Sequence, residues 1–411
     1  MTVNDDDFGC FGSDSEESEV SSQESVNPPT GSSSSDDEQR RRLLEDAHMR
    51  QMATDAAAAA HRNRRPVISP DFEVFDTSTA ANSNNDCNRG MGLRSLRKYS
   101  CGDEILREHA VMRVPNQQAA VSLEEAKAMH SVAVHQSFDR LSAETKQFVL
   151  ELANSYPSTT TTQAVEQPGQ QEIVGVYQTN SFRLGEEESN NCGGLFLTIC
   201  RINHSCRPNA NHSWRADLQA KTVYATQDID VGEEICITYG TSGECLDTAG
   251  RRAYLSERFS FECGCHMCTE SDPQGNNDGD RRMNELNSRQ QEIPLLLATA
   301  AAASSDTDEA GGGETAERVL ESVERCLLLL REQGFGTTAG GEYVKPILHY
   351  GYQACLLLRR DSRGRLLEES ERRARSYLNQ ELLATKNGEG IESPNVLKLQ
   401  DLINSIPVTV R

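Results

Sequence analysis

The residues best suited to chemistry fall in three short runs. The first, Arg201-Ile202-Asn203-His204-Ser205-Cys206-Arg207-Pro208-Asn209, is a polar turn ended by proline that holds one histidine and one cysteine. Taken alone it describes nothing more than a capped surface turn. The second, Val231-Gly232-Glu233-Glu234-Ile235-Cys236-Ile237-Thr238-Tyr239, is a glycine-led strand pattern ending in a tyrosine. The third, Phe261-Glu262-Cys263-Gly264-Cys265-His266-Met267-Cys268, spaces three cysteines C-x-C-x-x-C. In a reducing compartment that spacing suits Zn2+, which takes four tetrahedral ligands of Cys or His type. Three come from the cluster, and either Cys206 or His266 supplies the fourth; the alternative is a packed, metal-free thiol cluster.

Taken together and in this order, the runs resemble the SET-domain protein lysine methyltransferases. The shared elements are N-H-S-C-x-P-N at 203–209, G-E-E-x-x-x-x-Y ending at Tyr239, and a post-SET cysteine cluster at 263–268. Upstream, Arg89-Gly90-Met91-Gly92-Leu93 and Cys101-Gly102-Asp103-Glu104-Ile105-Leu106 look like that family's opening G-x-G-L strand and the turn after it. The likeness covers about 72–268, closest to the subgroup that pairs SET with MYND zinc modules.

The resemblance implies S-adenosyl-L-methionine as methyl donor, bound by Arg89, Gly90, Met91, Gly92, Asn180, Asn203, His204, Tyr239 and Phe261. Gly90 and Gly92 match glycines that let backbone approach the cofactor, Asn203 and His204 a pair at its adenine end, and Phe261 an aromatic packed on the adenine. Asn180 belongs to an N-S-F element of the SET/MYND subgroup. His204 has a second reading, as a tie between its turn and neighbouring backbone. Tyr239 matches the catalytic tyrosine, whose task is orientation: methyl transfer from a sulfonium to an amine is an in-line displacement that needs alignment and a dry channel. Cys206 matches the cysteine that joins Cys263, Cys265 and Cys268 on one zinc, which leaves His266 a bystander and makes metal binding part of folding.

The sequence also departs from the family. Ile237 stands where many members have Phe or Tyr, so the number of methyl groups transferred is not inherited. Only Cys101 lies between Gly92 and Asn191, so no MYND zinc module is inserted there.

The elements that must position these residues are legible as pattern. Alternation marks strands at Phe72 to Phe75, Glu104 to Arg113, Ala220 to Ala225 and Glu234 to Tyr239. Leu123 to Tyr156 has helical spacing and reads as an insert, closed by a polar loop from Pro157 to Gln171. Past Cys268, Val319, Val323, Cys326 and Leu330 share one helical face and Val344, Leu348, Gly351, Cys355 and Leu358 another, whereas an Ala tract and Gly311-Gly312-Gly313 interrupt the helical pattern. Helices at 366–386 and 393–404 complete the set, the last opened by Ser393-Pro394. The expected fold class is α+β: a SET β-fold of small twisted sheets with a pseudoknot and a helical insert, followed by an α-helical C-terminal domain. Its divisions are a disordered acidic tail with a helix from Arg40 to Ala60 (1–70), the SET domain with its insert at about 123–156 (71–245), the post-SET zinc segment (246–270) and the helical domain (271–411).

Composition narrows the partners. The net charge is -22, and residues 1–40 hold eleven acids against one base. Such a chain lacks the basic face that binds nucleic acid, which ranks a nucleic-acid-binding zinc module last and favours basic protein partners. No apolar run approaches the roughly 20 residues that span a bilayer, so no membrane partner is expected and the nucleus or cytoplasm is. The leading expectation is a methyltransferase acting on a lysine of a histone or another protein. Its rival is a catalytically silent SET scaffold held by zinc. Oligomeric state is not legible.

Overall fold

The computed structural model describes residues 64–77, 90–115, 122–156, 170–185, 192–240, 247–269, 278–305, 309–335, 341–358 and 368–406. Residues 1–63 of the acidic tail, with the expected helix from Arg40 to Ala60, Arg89 and the loop at 157–169 lie outside them.

In chain order the elements are β1 (Phe72–Asp76), β2 (Met91–Ser95), β3 (Glu104–Glu108), β4 (Met112–Pro115), α1 (Leu123–Asp139), α2 (Ala143–Leu150), α3 (Gln170–Asn180), β5 (Phe182–Arg183), β6 (Cys192–Leu195), β7 (Asn203–His204), β8 (Ala210–Arg215), β9 (Ala220–Ala225) and β10 (Glu234–Ile237), then α4 (Thr248–Phe259), α5 (His266–Thr269), α6 (Asp278–Ser305), α7 (Glu309–Glu332), α8 (Gly341–Leu356), α9 (Glu368–Glu389) and α10 (Pro394–Ser405). The architecture is α+β. Among the described residues, three small sheets run in the orders β1-β2-β10-β7, β3-β9-β8 and β4-β6-β5. All pairs are antiparallel except β10 with β7, which are parallel.

Several expectations are corrected. The segment from Glu104 to Arg113 is two strands in different sheets, because the chain turns at 109–111 and the Val111 N–H bonds to Leu195 O at 2.7 Å. The insert has a third helix, α3, and the Ala tract and Gly311 to Gly313 lie within α6 and α7 instead of interrupting them. A helix not anticipated, α4, fills 248–259.

Local chemistry sets the helix starts. Ser122, Ser142, Asp247 and Ser393 each accept a backbone N–H from the first turn of α1, α2, α4 and α10, satisfying donors that have no intrahelical partner. One apolar cluster, with Leu93, Tyr99, Phe196 and Ile235, lies among the sheets, and a second packs α1 to α3 against Met112, Val114 and Leu195. The C-terminal helices have their own core, in which Val319, Val323, Cys326, Val344, Leu348 and Cys355 are buried. That bundle docks on β8 and β9: Asn211 Nδ2 donates to Gly388 O at 3.3 Å and Arg215 Nη2 to Glu392 O at 3.0 Å. No described helix is long and apolar enough to cross a membrane.

Candidate functional site

The run 203–209 is stitched along β10. Asn203 pairs with Cys236 and His204 with Ile237, and the Ser205 N–H continues the ladder to Ile237 O at 2.9 Å. Beyond the prolyl turn, Asn209 acts as a short extra rung: its Oδ1 accepts the Cys236 N–H at 2.8 Å and its Nδ2 donates to Glu234 O at 2.8 Å. These bonds are to backbone, so the spacing of the motif, and not only its residue types, fixes where His204 and Tyr239 meet.

His204 is buried, and both ring nitrogens are engaged. Nδ1 accepts the Tyr239 N–H at 3.1 Å, and Nε2 lies 3.2 Å from Cys206 Sγ. A nitrogen that accepts from an amide carries no proton, so the neutral ring holds its proton on Nε2 and donates it to sulfur. The imidazole thus ties the tyrosine backbone to a cysteine of the cluster. Tyr239 in turn donates its hydroxyl to Ile202 O at 2.7 Å. Its ring lies 5.3 Å from His204, 5.0 Å from Phe259 and 6.4 Å from Phe261, and Tyr254 donates to its carbonyl at 3.4 Å. Phe259 and Tyr254 were not singled out in the sequence. The Phe259-Ser260-Phe261 alternation before the cysteines was the available signal, and α4 explains it: the helix ends on Ser260 in the left-handed conformation, φ 57°, and turns both rings toward Tyr239.

On the other side of β10, Asn203 Nδ2 donates to Glu234 Oε1 at 2.8 Å. One hydrogen of the amide nitrogen is thereby committed, which fixes the orientation of the side chain and of its acceptor Oδ1. Gly92 serves this pair: a Cβ there would lie 2.8 Å from Asn203 Nδ2 and 2.9 Å from Glu234 Oε1. Its need for glycine is therefore met within the protein, whereas Gly90, at φ 72°, faces open space. Met91 is exposed beside it on β2. Asn180, at the end of α3, is buried and donates Nδ2 to Ala153 O and Val176 O, both at 2.7 Å, so its amide nitrogen holds the insert together.

The structure brings Cys206, Cys263, Cys265 and Cys268 together, all buried, with their sulfurs within 4.8 Å of one another. Cys206 Sγ is 3.8 Å from Cys263 Sγ and 3.6 Å from Cys268 Sγ. Four sulfurs at a Zn–S distance of about 2.3 Å stand roughly 3.8 Å apart at tetrahedral corners, so the donor set fits zinc in both chemistry and size. The crowded thiols perturb one another: hydrogen bonding with Cys263 first, then Cys265 and Cys268, pushes Cys206 up, and Cys265 is held down chiefly by Cys206. His266 is exposed and turned to Arg207, with Nδ1 3.1 Å from Nη2.

Small sheets around a parallel β7–β10 crossing, with a four-sulfur centre beside it, define the SET type of fold. Residues 90–240 match the family model described as SET domain, so this part of the chain is a SET domain. It is 29% identical over 199 residues to the histone-lysine N-methyltransferase set5 of Schizosaccharomyces pombe, a match that takes in 48% of this chain and 53% of that protein. It is 34% identical over 94 residues to the histone-lysine N-methyltransferase SMYD3 of Homo sapiens, 23% of this chain and 21% of the other. A solved SET domain of LSMT bound to lysine and AdoHcy covers 82% of this chain and 87% of its own at 13% identity, with a TM-score of 0.29, too slight a likeness to argue from. The chain thus spans about half the length of the fission-yeast relative and less of the human one.

Proposed function

We propose that this chain is an S-adenosyl-L-methionine-dependent protein-lysine N-methyltransferase acting on a lysine of a histone or another protein. The observation that carries the reading is Tyr239, held at both ends: its backbone by His204 Nδ1 and its hydroxyl by Ile202 O, inside a ring of His204, Phe259 and Phe261. The names of the set5 and SMYD3 relatives supply the reaction and the substrate class.

When bound, S-adenosyl-L-methionine supplies an electrophilic methyl group on a sulfonium. The chain supplies alignment and a dry setting. The aromatic ring around Tyr239 disfavours the charged form of an entering lysine by desolvation, which promotes the free amine needed for attack. The Tyr239 hydroxyl, fixed by its bond to Ile202 O, is the group that would hold the amine in line. The same oxygen and the Ile202 carbonyl place partial negative charge where positive charge is shared during transfer. Asn203, fixed by Glu234, would help hold the cofactor at its adenine end, and Gly90 and Met91 would border the cleft. Arg89, Gly92, His204, Asn180 and Phe261 complete the proposed binding set; His204 would contribute through its backbone because its ring is engaged.

The domain divisions proposed are a tail (1–70), a SET domain with its insert (71–245), a zinc segment (246–270) held by Cys206, Cys263, Cys265 and Cys268, and a helical domain (271–411). The proposed location is the nucleus or cytoplasm, where such substrates are found.

The test is incubation of the full chain with labelled S-adenosyl-L-methionine and a whole-cell protein extract, wild type against Tyr239→Phe. Removing one positioned hydroxyl should lower labelling by on the order of 100-fold. Equal labelling by the two proteins removes Tyr239 from its role. No labelling by wild type, with no thermal stabilisation at millimolar cofactor, favours a silent scaffold instead.

A further inference from the structure

The four cysteines, taken as a zinc site, raise a question of charge, and the role of their neighbour Arg251 rests on that reading. Four thiolates on Zn2+ carry a net charge of -2, here in a buried setting where Cys206, Cys263, Cys265 and Cys268 are 0%, 1%, 6% and 2% exposed. A buried charge needs a partner nearby.

Arg251 lies beside the cluster and is itself only 1% exposed. Its Nη2 donates to Cys268 Sγ at 3.5 Å and to Thr248 Oγ1 at 3.0 Å. Its place in the sequence is unfavourable on local grounds. It stands in the first turn of α4, where unpaired backbone N–H groups favour anions and disfavour cations. Burial of a guanidinium there calls for negative charge from outside the helix, and thiolates provide it. The next residue acts on the same segment by other means: Arg252 Nε donates to Cys263 O at 3.1 Å and its Nη2 to Cys268 O at 3.2 Å. Arg251 on Cys268 and His204 on Cys206 thus give two of the sulfurs a donor each, and Arg252 holds the backbone that carries the ligands.

We infer that Arg251 is the counter-ion of the metal centre: by N–H···S bonding and by charge it allows four thiolates to hold one zinc ion inside the protein. It is a positioning residue, acting on the ligands and not on substrate.

The experiment uses the full chain as purified, with zinc per chain measured by atomic emission and zinc release followed colorimetrically with 4-(2-pyridylazo)resorcinol under excess chelator. Wild type is compared with Arg251→Met, which removes charge and donors, Arg251→Gln, which keeps a donor, and Arg251→Lys, which keeps the charge on a compact head. The expected result is release at least about 10-fold faster for Arg251→Met than for wild type, the loss of roughly one 1.4 kcal/mol step or more, with Arg251→Lys closest to wild type and Arg251→Gln between. Circular dichroism confirms that each variant folds, and if Arg251→Met does not, Arg251→Gln decides. Wild-type release rates in the folded Met and Gln variants overturn the inference while leaving the zinc reading intact. A wild-type chain that purifies and reconstitutes without zinc overturns both.

Discussion

Glu108 shows how far a single side chain can organise the approach to the site. Buried at the end of β3, it accepts the Leu197, Thr198 and Ile199 N–H groups at 2.8–3.0 Å, just before the short helical turn Ile199–Arg201 that delivers Ile202 and Asn203. Three successive N–H groups turned one way form an anion nest. Burial nevertheless pushes the carboxyl from 4.5 up to about 7, against those donors. The folded chain therefore keeps a proton that the unfolded chain releases between these values, so stability should fall as pH rises through that window, by on the order of 3 kcal/mol, and stay low above it. Thermal melts from pH 4 to 8 should show this slope in wild type and not in Glu108→Gln, which should be less stable throughout because its NH2 faces other donors. Equal slopes would sink the assignment. Glu234→Ala should likewise loosen Asn203 and weaken S-adenosyl-L-methionine binding about 10-fold, the worth of roughly one hydrogen bond to a charged group; calorimetric titration reads it, and unchanged affinity would show that Asn203 needs no support.

Elements explain which of these features the sequence could announce. The cysteines, His204 and Tyr239 were legible because ligand chemistry and motif spacing are local, and Ser393-Pro394 announced α10 through capping alone. Helix α3 was hidden for the opposite reason. Ile173, Val174, Val176 and Tyr177 favour a strand by residue type, and packing overrides them: Ile173, Val176 and Tyr177 are buried in the insert core, and a Cβ on Gly175 would meet the Asn154 side chain and lie 2.9 Å from Tyr156 O. The roles of Arg251 and Glu234 were likewise hidden, although Glu234 stood in a motif, since they depend on partners 17 and 31 residues away. The turn after α9 makes the same point in testable form. Gly390 has φ 86°, and a Cβ there would run into the Tyr224 ring and hydroxyl on β9. Gly390→Ala should destabilise the chain by at least about 1–2 kcal/mol from the left-handed backbone alone, and the contact adds to that. Denaturant titration checks it, and a change below 0.5 kcal/mol, roughly the scale of a neutral surface substitution, would mean the helix end is not pressed on the sheet.

At the scale of the whole molecule, the cofactor motif, the cysteine cluster and the helical bundle meet at Arg207. Its Nη1 donates to Gln333 O at 3.2 Å, where α7 ends on Gly334 at φ 81°, and its Nη2 lies 3.1 Å from His266 Nδ1. Gln333 passes the contact on, donating to Gly279 O at 2.7 Å and accepting from Arg282 at 3.1 Å. Met267 packs against both the cysteine cluster and the bundle core. A side chain from the 203–209 run thus holds the helices in place around the proposed metal site. Arg207→Ala removes the donors but neither the sulfurs nor Met267. Hydrogen exchange should therefore quicken at Gln333 to Phe335 and at 266–268, with little change in α8 to α10, whose own core is untouched, and stability should drop by about 1–3 kcal/mol as Gln333 O loses its donor. If exchange rises throughout the bundle instead, docking and bundle folding are one cooperative event. If it rises nowhere, Met267 and the sheet contacts of Asn211 and Arg215 suffice to seat the helices, and Arg207 is no latch.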